Sequence, residues 1–323
     1  MEQFNLLGSF IAFLHQRIKK RSDLVSFIAD TLKIQKESAS RRLNGSVLFS
    51  VQEMGLIAST LGISLDKLLK NDPDYEFFPM KMLRPNNMDS LIDGLDQLFE
   101  KTLKLTEKVC LKPAKMGMVT DSLPLEFCLP ETSLYKFIFF KWEHSFLSEQ
   151  NNLKFASWTL PEKLIVYHQK LIELYKKYKT VFYIWDMSIV WNLMKELLYF
   201  RNINLLENED VELIKKDLHD LMNRMEKMAS GMEKSSFGHD ELQLYISYLN
   251  IGNHLISSSS DSYFFAIFRS AFIQPSIIET PSTCIAIRDW VNSMKKVSTL
   301  ISESGEKERR LFFEEQHSII ENT

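Results

Sequence analysis

A short polar segment near the N-terminus carries the side chains with the clearest chemistry in this sequence of 323 residues. Within residues 36–45, Ala39 and Leu43 share one face of a predicted helix that ends at Gly45. The other face carries the polar side chains of Lys36, Glu37, Ser40, Arg41 and Asn44. Only two side chains of this helix are predicted to be buried, and its charged hydrogen-bond donors point outward. A helix that contacts base edges in the major groove of DNA needs both features.

This segment is the third of five short helices that the apolar periodicity predicts across the first seventy residues. A tight turn separates it from the second helix, as in a helix-turn-helix unit. The fourth helix is predicted over 50–61, and a short fifth begins at Ser64 and ends near Leu69. The apolar residues predicted to face inward from the first, second and fourth helices are Phe4, Leu7, Ile11, Leu14, Ile18, Leu24, Ile28, Leu32, Val51, Met54, Ile57, Ala58 and Leu61.

Three stretches in this region resemble the lambda-repressor/Cro-like (XRE-type) helix-turn-helix domain. They are Ile28–Leu32, Ser38–Gly45 and Ala58–Leu69, of which the last, with its phrase LGISLDKLL, is the most specific. The resemblance covers about fifty residues, a sixth of the chain. It implies a domain that binds double-stranded DNA through its third helix.

The resemblance also implies roles for individual side chains. The family's base-reading positions fall on Gln35, Lys36, Glu37, Ser40 and Arg41. Lys36 and Arg41 would donate to guanine O6 and N7, and Glu37 would accept from cytosine N4 or hold Arg41 in place. Contacts with phosphates are expected from Gln35, Arg42 and Asn44.

The sequence departs from the family pattern at two positions. Lys33 stands where the turn usually carries Gly, and a left-handed conformation costs a non-Gly residue about 1 kcal/mol, so we expect a reshaped turn. Arg42 stands where the family often has an apolar residue, and we expect Leu43 to take the core position instead.

Charge is distributed unevenly along the chain. Residues 1–70 contain ten Lys and Arg against six Asp and Glu, whereas the remainder contains 29 against 36. A basic head on an acidic body is consistent with a nucleic-acid module joined to a second domain. Three widely spaced cysteines and the absence of an apolar run of 18 residues favour a cytoplasmic protein that does not enter a membrane.

The predicted domains are a helix-turn-helix domain over 1–72, a linker over 73–88 and a mostly helical domain over 89–323. Helices are expected in this larger domain at about 90–112, 133–149, 160–178, 184–201, 208–230, 282–302 and 306–321. One small antiparallel β element is expected from the strands 242–247 and 263–268, with Ser257–Ser260 as a loop between them. The predicted fold class is therefore mainly α. The phrases Lys136–Trp142 and Ser298–Glu306 loosely resemble Bacteroidetes-type regulators with a Cro-like head on a mostly helical body.

The larger domain shows no catalytic or cofactor motif. Its histidines lack metal-ligand spacing, and the sequence contains neither a dinucleotide-binding glycine pattern nor a phosphate loop, so we expect no enzyme activity, metal or cofactor. Aromatic residues could line an effector pocket, although such residues more often form the core. The candidates are Tyr167, Trp185, Asp186, Trp191 and Tyr199.

Together these features predict a sequence-specific transcription regulator that binds DNA as a homodimer, with a small molecule or peptide as a possible effector. Three alternatives stay open: a helical-repeat peptide receptor, a protein-interaction module that uses the head as a binding bundle, and an enzyme fused to a DNA-binding head. The absence of a metal, nucleophile or phosphate-loop motif counts against the enzyme. The sequence contains no self-similarity at a 34-residue period, which counts against the helical repeat.

Overall fold

A computed structural model of the protein describes residues 6–61, 65, 87–146, 153–233, 241–252, 254–270 and 273–323. The chain divides into two compact units, Met1–Pro79 and Met80–Thr323, called the head and the body below. Most of the predicted linker over 73–88 lies outside the described residues.

Four helices form the described part of the head. They are α1 (Leu6–Arg17), α2 (Arg21–Leu32), α3 (Lys36–Leu43) and α4 (Val51–Leu61). The head is therefore not the clear five-helix bundle that the sequence predicted, and the predicted fifth helix falls, except for Leu65, outside the described residues.

A single apolar core holds these four helices together. Phe10, Leu14, Leu24 and Ile28 are fully buried, which matches the predicted stripes except that Phe10 was not among the predicted residues. Val51 was predicted to face inward, but it is 77% exposed because it begins α4, one turn before the buried Met54. The complete set of buried apolar residues in this core is Phe10, Leu14, Leu24, Ile28, Ala29, Ala39, Leu43, Phe49, Met54 and Ile57.

The body contains a seven-stranded mixed sheet. Its strands are β1 (Lys115–Thr120), β2 (Thr180–Asp186), β3 (Glu241–Ser247), β4 (His254–Ser259), β5 (Phe264–Ser270), β6 (Ile273–Ile278) and β7 (Thr299–Leu300). They lie in the order β6-β5-β4-β1-β2-β3-β7. The pairs β1–β2 and β2–β3 are parallel, and all other neighbours are antiparallel.

Seven helices pack on the two faces of this sheet. They are α5 (Met88–Val109), α6 (Ser133–Phe146), α7 (Glu162–Tyr175), α8 (Ile189–Asn202), α9 (Asn208–Ala229), α10 (Pro281–Val297) and α11 (Glu306–Asn322). Buried side chains of α10 form a core with Val119, Phe182 and Ile184 on one face. The other six helices share a larger core with the opposite face, where Met118, Tyr183 and Trp185 lie. The alternation of successive strand residues between these two cores follows from the twofold period of a β-strand.

The predicted fold class was wrong for the body, because a small antiparallel element was expected where a seven-stranded mixed sheet exists. β2 was missed because it is buried on both faces, so its continuous apolar run has no alternation that distinguishes a strand from a helix. The two predicted strands do exist as β3 and β5, but they do not pair with each other. Ser257–Ser260 was predicted as a loop, whereas Ser257, Ser258 and Ser259 belong to β4 next to the sheet centre.

Candidate nucleic-acid interface and body cavity

The turn between α2 and α3 keeps its left-handed residue although that residue is not Gly. Lys33 has φ 54° and ψ 46°, and its backbone N–H donates to the carbonyl of Ala29. The N–H of Ile34 donates to the same carbonyl at 3.0 Å. The substitution of the usual Gly by Lys therefore leaves the left-handed turn in place, rather than reshaping it as the sequence suggested.

The orientation of α3 follows from its two buried residues. Ala39 is fully buried and Leu43 is 5% exposed, and no other residue of this eight-residue helix is buried, as the sequence predicted. Gly45 ends the segment with φ 74°, a conformation that favours glycine. The side of α3 that carries Lys36, Glu37, Ser40 and Arg41 is consequently available for contacts outside the head.

Four of the predicted contact residues are exposed and free of partners within the described chain. Gln35, Lys36, Glu37 and Arg41 form no side-chain hydrogen bond or ion pair with any described residue. The alternative that Glu37 holds Arg41 in place is thus not seen in the described head. Ser40 lies beside them and is partly exposed.

Arg42 and Asn44, predicted to contact phosphates, are engaged inside the head. The guanidinium of Arg42 donates twice to Oε1 of Glu53 in α4, with Nε and Nη2 at 3.1 and 2.8 Å. This pairing holds the pKa of the Glu53 carboxyl below its usual range. The side-chain oxygen of Asn44 accepts from Arg21 in α2. The pair Arg42–Glu53 therefore ties α3 to α4 and fixes the rotation of α3.

A cavity of about 1510 Å³ lies in the body, between the sheet and the helices α5 to α8. This volume exceeds the roughly 300–1,000 Å³ of ordinary ligand sites. Alternate residues of β1, β4 and β5 form its floor, and the side chains there are Met116, Met118, His254, Ile256, Phe265, Ile267 and Arg269. Two predicted pocket residues, Tyr167 and Tyr199, line its walls.

The other three predicted pocket residues lie elsewhere. Trp185 is fully buried in the core and packs edge-on against Phe127. Asp186 accepts from the N–H groups of Ser188 at 2.8 Å and Ile251 at 2.9 Å, so its carboxylate fixes two backbone segments. Trp191 is 44% exposed and is not among the cavity-lining residues.

Three polar residues that no sequence pattern indicated, Glu126, His254 and Arg269, line this cavity in the folded chain. Burial raises the pKa of Glu126 to about 7, against the opposing hydrogen bonds from its own backbone and from the Tyr183 hydroxyl, which lies 3.0 Å from Oε1. Burial lowers the pKa of His254 to about 3, and the positive charge of Arg269 acts in the same direction. Positions 126, 254 and 269 are too far apart in the sequence for any motif to reveal them.

Several other features complete the site description. The described residues contain no group of three or more His, Cys, Asp or Glu arranged to hold a metal ion. All three cysteines are free thiols. No helix within the described ranges combines the length and apolar character needed to cross a membrane.

Comparison of the chain with known protein families, with curated proteins and with solved structures gives no significant match in any of the three.

Proposed function

We propose that this protein is a sequence-specific DNA-binding transcription regulator, with α3 as the helix that enters the major groove and the body as a domain that binds an effector. The observation that carries the proposal is the exposed polar surface of α3. Only Ala39 and Leu43 of this helix are used for packing, which leaves Lys36 and Arg41 free to donate to base edges.

The hydrogen bonds that hold α3 against α2 and α4 support this role. The α2–α3 turn is closed by two hydrogen bonds to Ala29, and Arg42 links α3 to Glu53 of α4. A base-reading helix needs such support because each bidentate contact depends on the position of the donor to within a fraction of an ångström. In a twofold homodimer, two such helices would reach successive major grooves about 34 Å apart.

The mixed sheet of the body does not favour a helical-repeat peptide receptor, since that architecture requires stacked helix pairs. A head that binds protein rather than DNA would show no dependence on the phosphate backbone. DNA binding, by contrast, must weaken steeply with salt, because each neutralised phosphate releases a counterion.

The test compares the full-length protein with Lys36→Ala/Arg41→Ala on a library of genomic fragments at two salt concentrations. We expect selected fragments to bind the wild-type protein tightly. The affinity of the double variant for these fragments should be lower by about tenfold or more, which corresponds to the loss of one or two base contacts. A matched control is Lys307→Ala/Arg310→Ala, which removes the same charges from exposed positions of α11. Equal binding by both double variants and wild type on every fragment would overturn the proposal.

A further inference from the structure

Arg269 and His254 form a polar corner in the floor of the body cavity. The two residues are direct partners across the β4–β5 pair, and His254 is in turn the partner of Thr120 across β1–β4. Directly opposed side chains in an antiparallel pair lie about 5 Å apart on the same face. One row of the sheet thus places an imidazole and a guanidinium side by side at the cavity.

Arg269 lines the cavity without a hydrogen-bonded counter-ion in the described chain. Its guanidinium forms no hydrogen bond or ion pair with any described residue, and its side chain is only partly exposed. A guanidinium cannot give up its proton to escape the cost of burial, so it favours an anion from outside. Glu126 is only a partial counter-ion: burial raises the pKa of its carboxyl to about 7, although the charge of Arg269 acts in the opposite direction. The planar fork of Arg matches the two oxygens of a carboxylate.

His254 offers an acceptor beside this cation. The Thr120 hydroxyl donates to the carbonyl of Ser122 at 3.0 Å, and it lies 2.9 Å from Nδ1 of His254. The single hydroxyl proton of Thr120 is used in the bond to Ser122, so the contact with His254 is a hydrogen bond only if Nδ1 of the neutral imidazole carries a proton and donates it to the Thr120 oxygen. In that tautomer Nε2 is a bare acceptor, and it is buried with no partner among the described residues. A ligand group that reaches it must therefore be an N–H or O–H donor.

Aliphatic and aromatic side chains form much of the remaining wall of the cavity, beside polar residues such as Asp121, Ser122 and Asn192. Its walls present aliphatic and aromatic side chains from α5, α6 and α7, among them Leu95, Phe99, Ile138, Phe139, Leu171 and Leu174. Such walls favour an alkyl chain, since each methylene group that leaves water for an apolar surface adds to the affinity.

We propose that the body cavity binds an amphipathic carboxylic acid with a hydrogen-bond donor next to the carboxylate, as in an N-acyl amino acid. The carboxylate pairs with Arg269, the adjacent amide N–H donates to Nε2 of His254, and the acyl chain lies against α5 to α7. The inference deepens the effector half of the proposed function and rests on it only for the regulatory consequence of binding.

The test uses three probes that differ at one group each: N-decanoylglycine, its methyl ester, and N-decanoylsarcosine. The ester lacks the negative charge, and the sarcosine compound has a methyl group in place of the N–H. Isothermal titration calorimetry on the full-length protein should show N-decanoylglycine binding at least tenfold more tightly than the ester. It should also bind about fivefold or more tightly than the sarcosine compound.

Two variants assign these differences to the named residues. Arg269→Gln should abolish the preference for the acid over the ester, whereas Arg288→Gln, which removes an exposed guanidinium from α10, should preserve it. His254→Phe should abolish the preference for glycine over sarcosine. Equal affinities of wild type for acid and ester, or no measurable binding of any probe, would overturn the proposal even if a variant failed to fold.

The outcome is separable from that of the DNA experiment, because the titration contains no DNA. Probe binding without DNA binding would leave the cavity assignment intact and remove only its regulatory meaning. DNA binding without probe binding would refute the cavity assignment alone.

Discussion

The ring of Phe182 occupies the space in which a side chain of Gly117 would lie. The two residues are direct partners in the parallel β1–β2 pair, and a Cβ on Gly117 would be 1.9 Å from Cζ of Phe182. Lys295 lies over the same ring, with Nζ 3.5 Å from its centroid. Burial lowers the pKa of this lysine to about 8, with the charge of Lys115 acting in the same direction. The centre of the sheet therefore depends on a glycine for close packing.

Gly117→Ala should destabilise the body, because neither strand can move away without breaking its ladder. Overpacking of this kind costs about 1–3 kcal/mol of unfolding free energy, measured by urea denaturation. The matched control is Gly94→Ala in α5, where an added Cβ meets nothing within 4 Å. That change should stabilise by about 0.5–1 kcal/mol, because Ala is the better helix former. Gly117→Ala with unchanged stability would show that the ring moves freely.

Lys33→Gly should stabilise the head. Lys33 has a left-handed backbone conformation with φ 54°. This conformation raises the free energy of a residue with a Cβ by about 1 kcal/mol, whereas glycine adopts it without that cost. We expect the midpoint of urea unfolding to rise for Lys33→Gly and to stay unchanged or fall for Lys33→Ala. The alanine variant removes the same charge and keeps the strain, so equal gains in both would assign the effect to charge instead.

The structure of the head was largely predictable because its signals are local. The burial of Ala39 and Leu43 and the stop at Gly45 depend on residues within one or two helical turns. The failure at Val51 has the same origin, since the apolar pattern cannot show that the first turn of α4 extends beyond the core.

The body was predictable in its helices and in two of its strands, β3 and β5, but not in its sheet. Strand β4 carries serines whose hydroxyls find partners in the fold: Ser257 donates to the Gly117 carbonyl, and Ser258 pairs with Tyr178 at 2.7 Å. Strand β6 contains Pro275, which an edge strand tolerates. His254 and Arg269 meet through strand pairing, and Glu126 reaches the same cavity from the segment between β1 and α6. No local pattern encodes this arrangement.

The pair Arg42–Glu53 should couple α3 to α4 in a pH-dependent way. Glu53 has a lowered pKa in the folded head, chiefly through the hydrogen bond from Arg42. Its ionised carboxylate therefore contributes fully to the free energy of unfolding at pH values above 4.5, the pKa of this group in the unfolded chain. That contribution is lost as pH falls through the lower folded value. A double-mutant cycle with Arg42→Ala and Glu53→Gln should give a coupling of about 0.5–1 kcal/mol at pH 7.

At a pH well below the folded pKa of Glu53, the same cycle should give a coupling near zero, provided the head is still folded. The cycle is measured by thermal or urea unfolding of the four proteins. An equal coupling at both pH values would show that the pair contributes through packing of the Arg42 stem rather than through charge.

Acidification should destabilise the body through His254. Its folded pKa of about 3 is far below the unfolded value of 6.5, so between these values the unfolded chain binds more protons. The contribution of His254 to the free energy of unfolding is therefore fully present above pH 6.5 and is lost as the pH falls toward 3. The free energy of unfolding then changes by at most about 1.4 kcal/mol per pH unit through this residue. His168 and His317 also have lowered pKa values and add to the wild-type slope. His254→Gln, which cannot titrate, should have a measurably shallower dependence of unfolding free energy between pH 7 and pH 5. Parallel slopes for variant and wild type would mean that His254 is protonated without cost, and would remove the buried acceptor on which the proposed ligand contact depends.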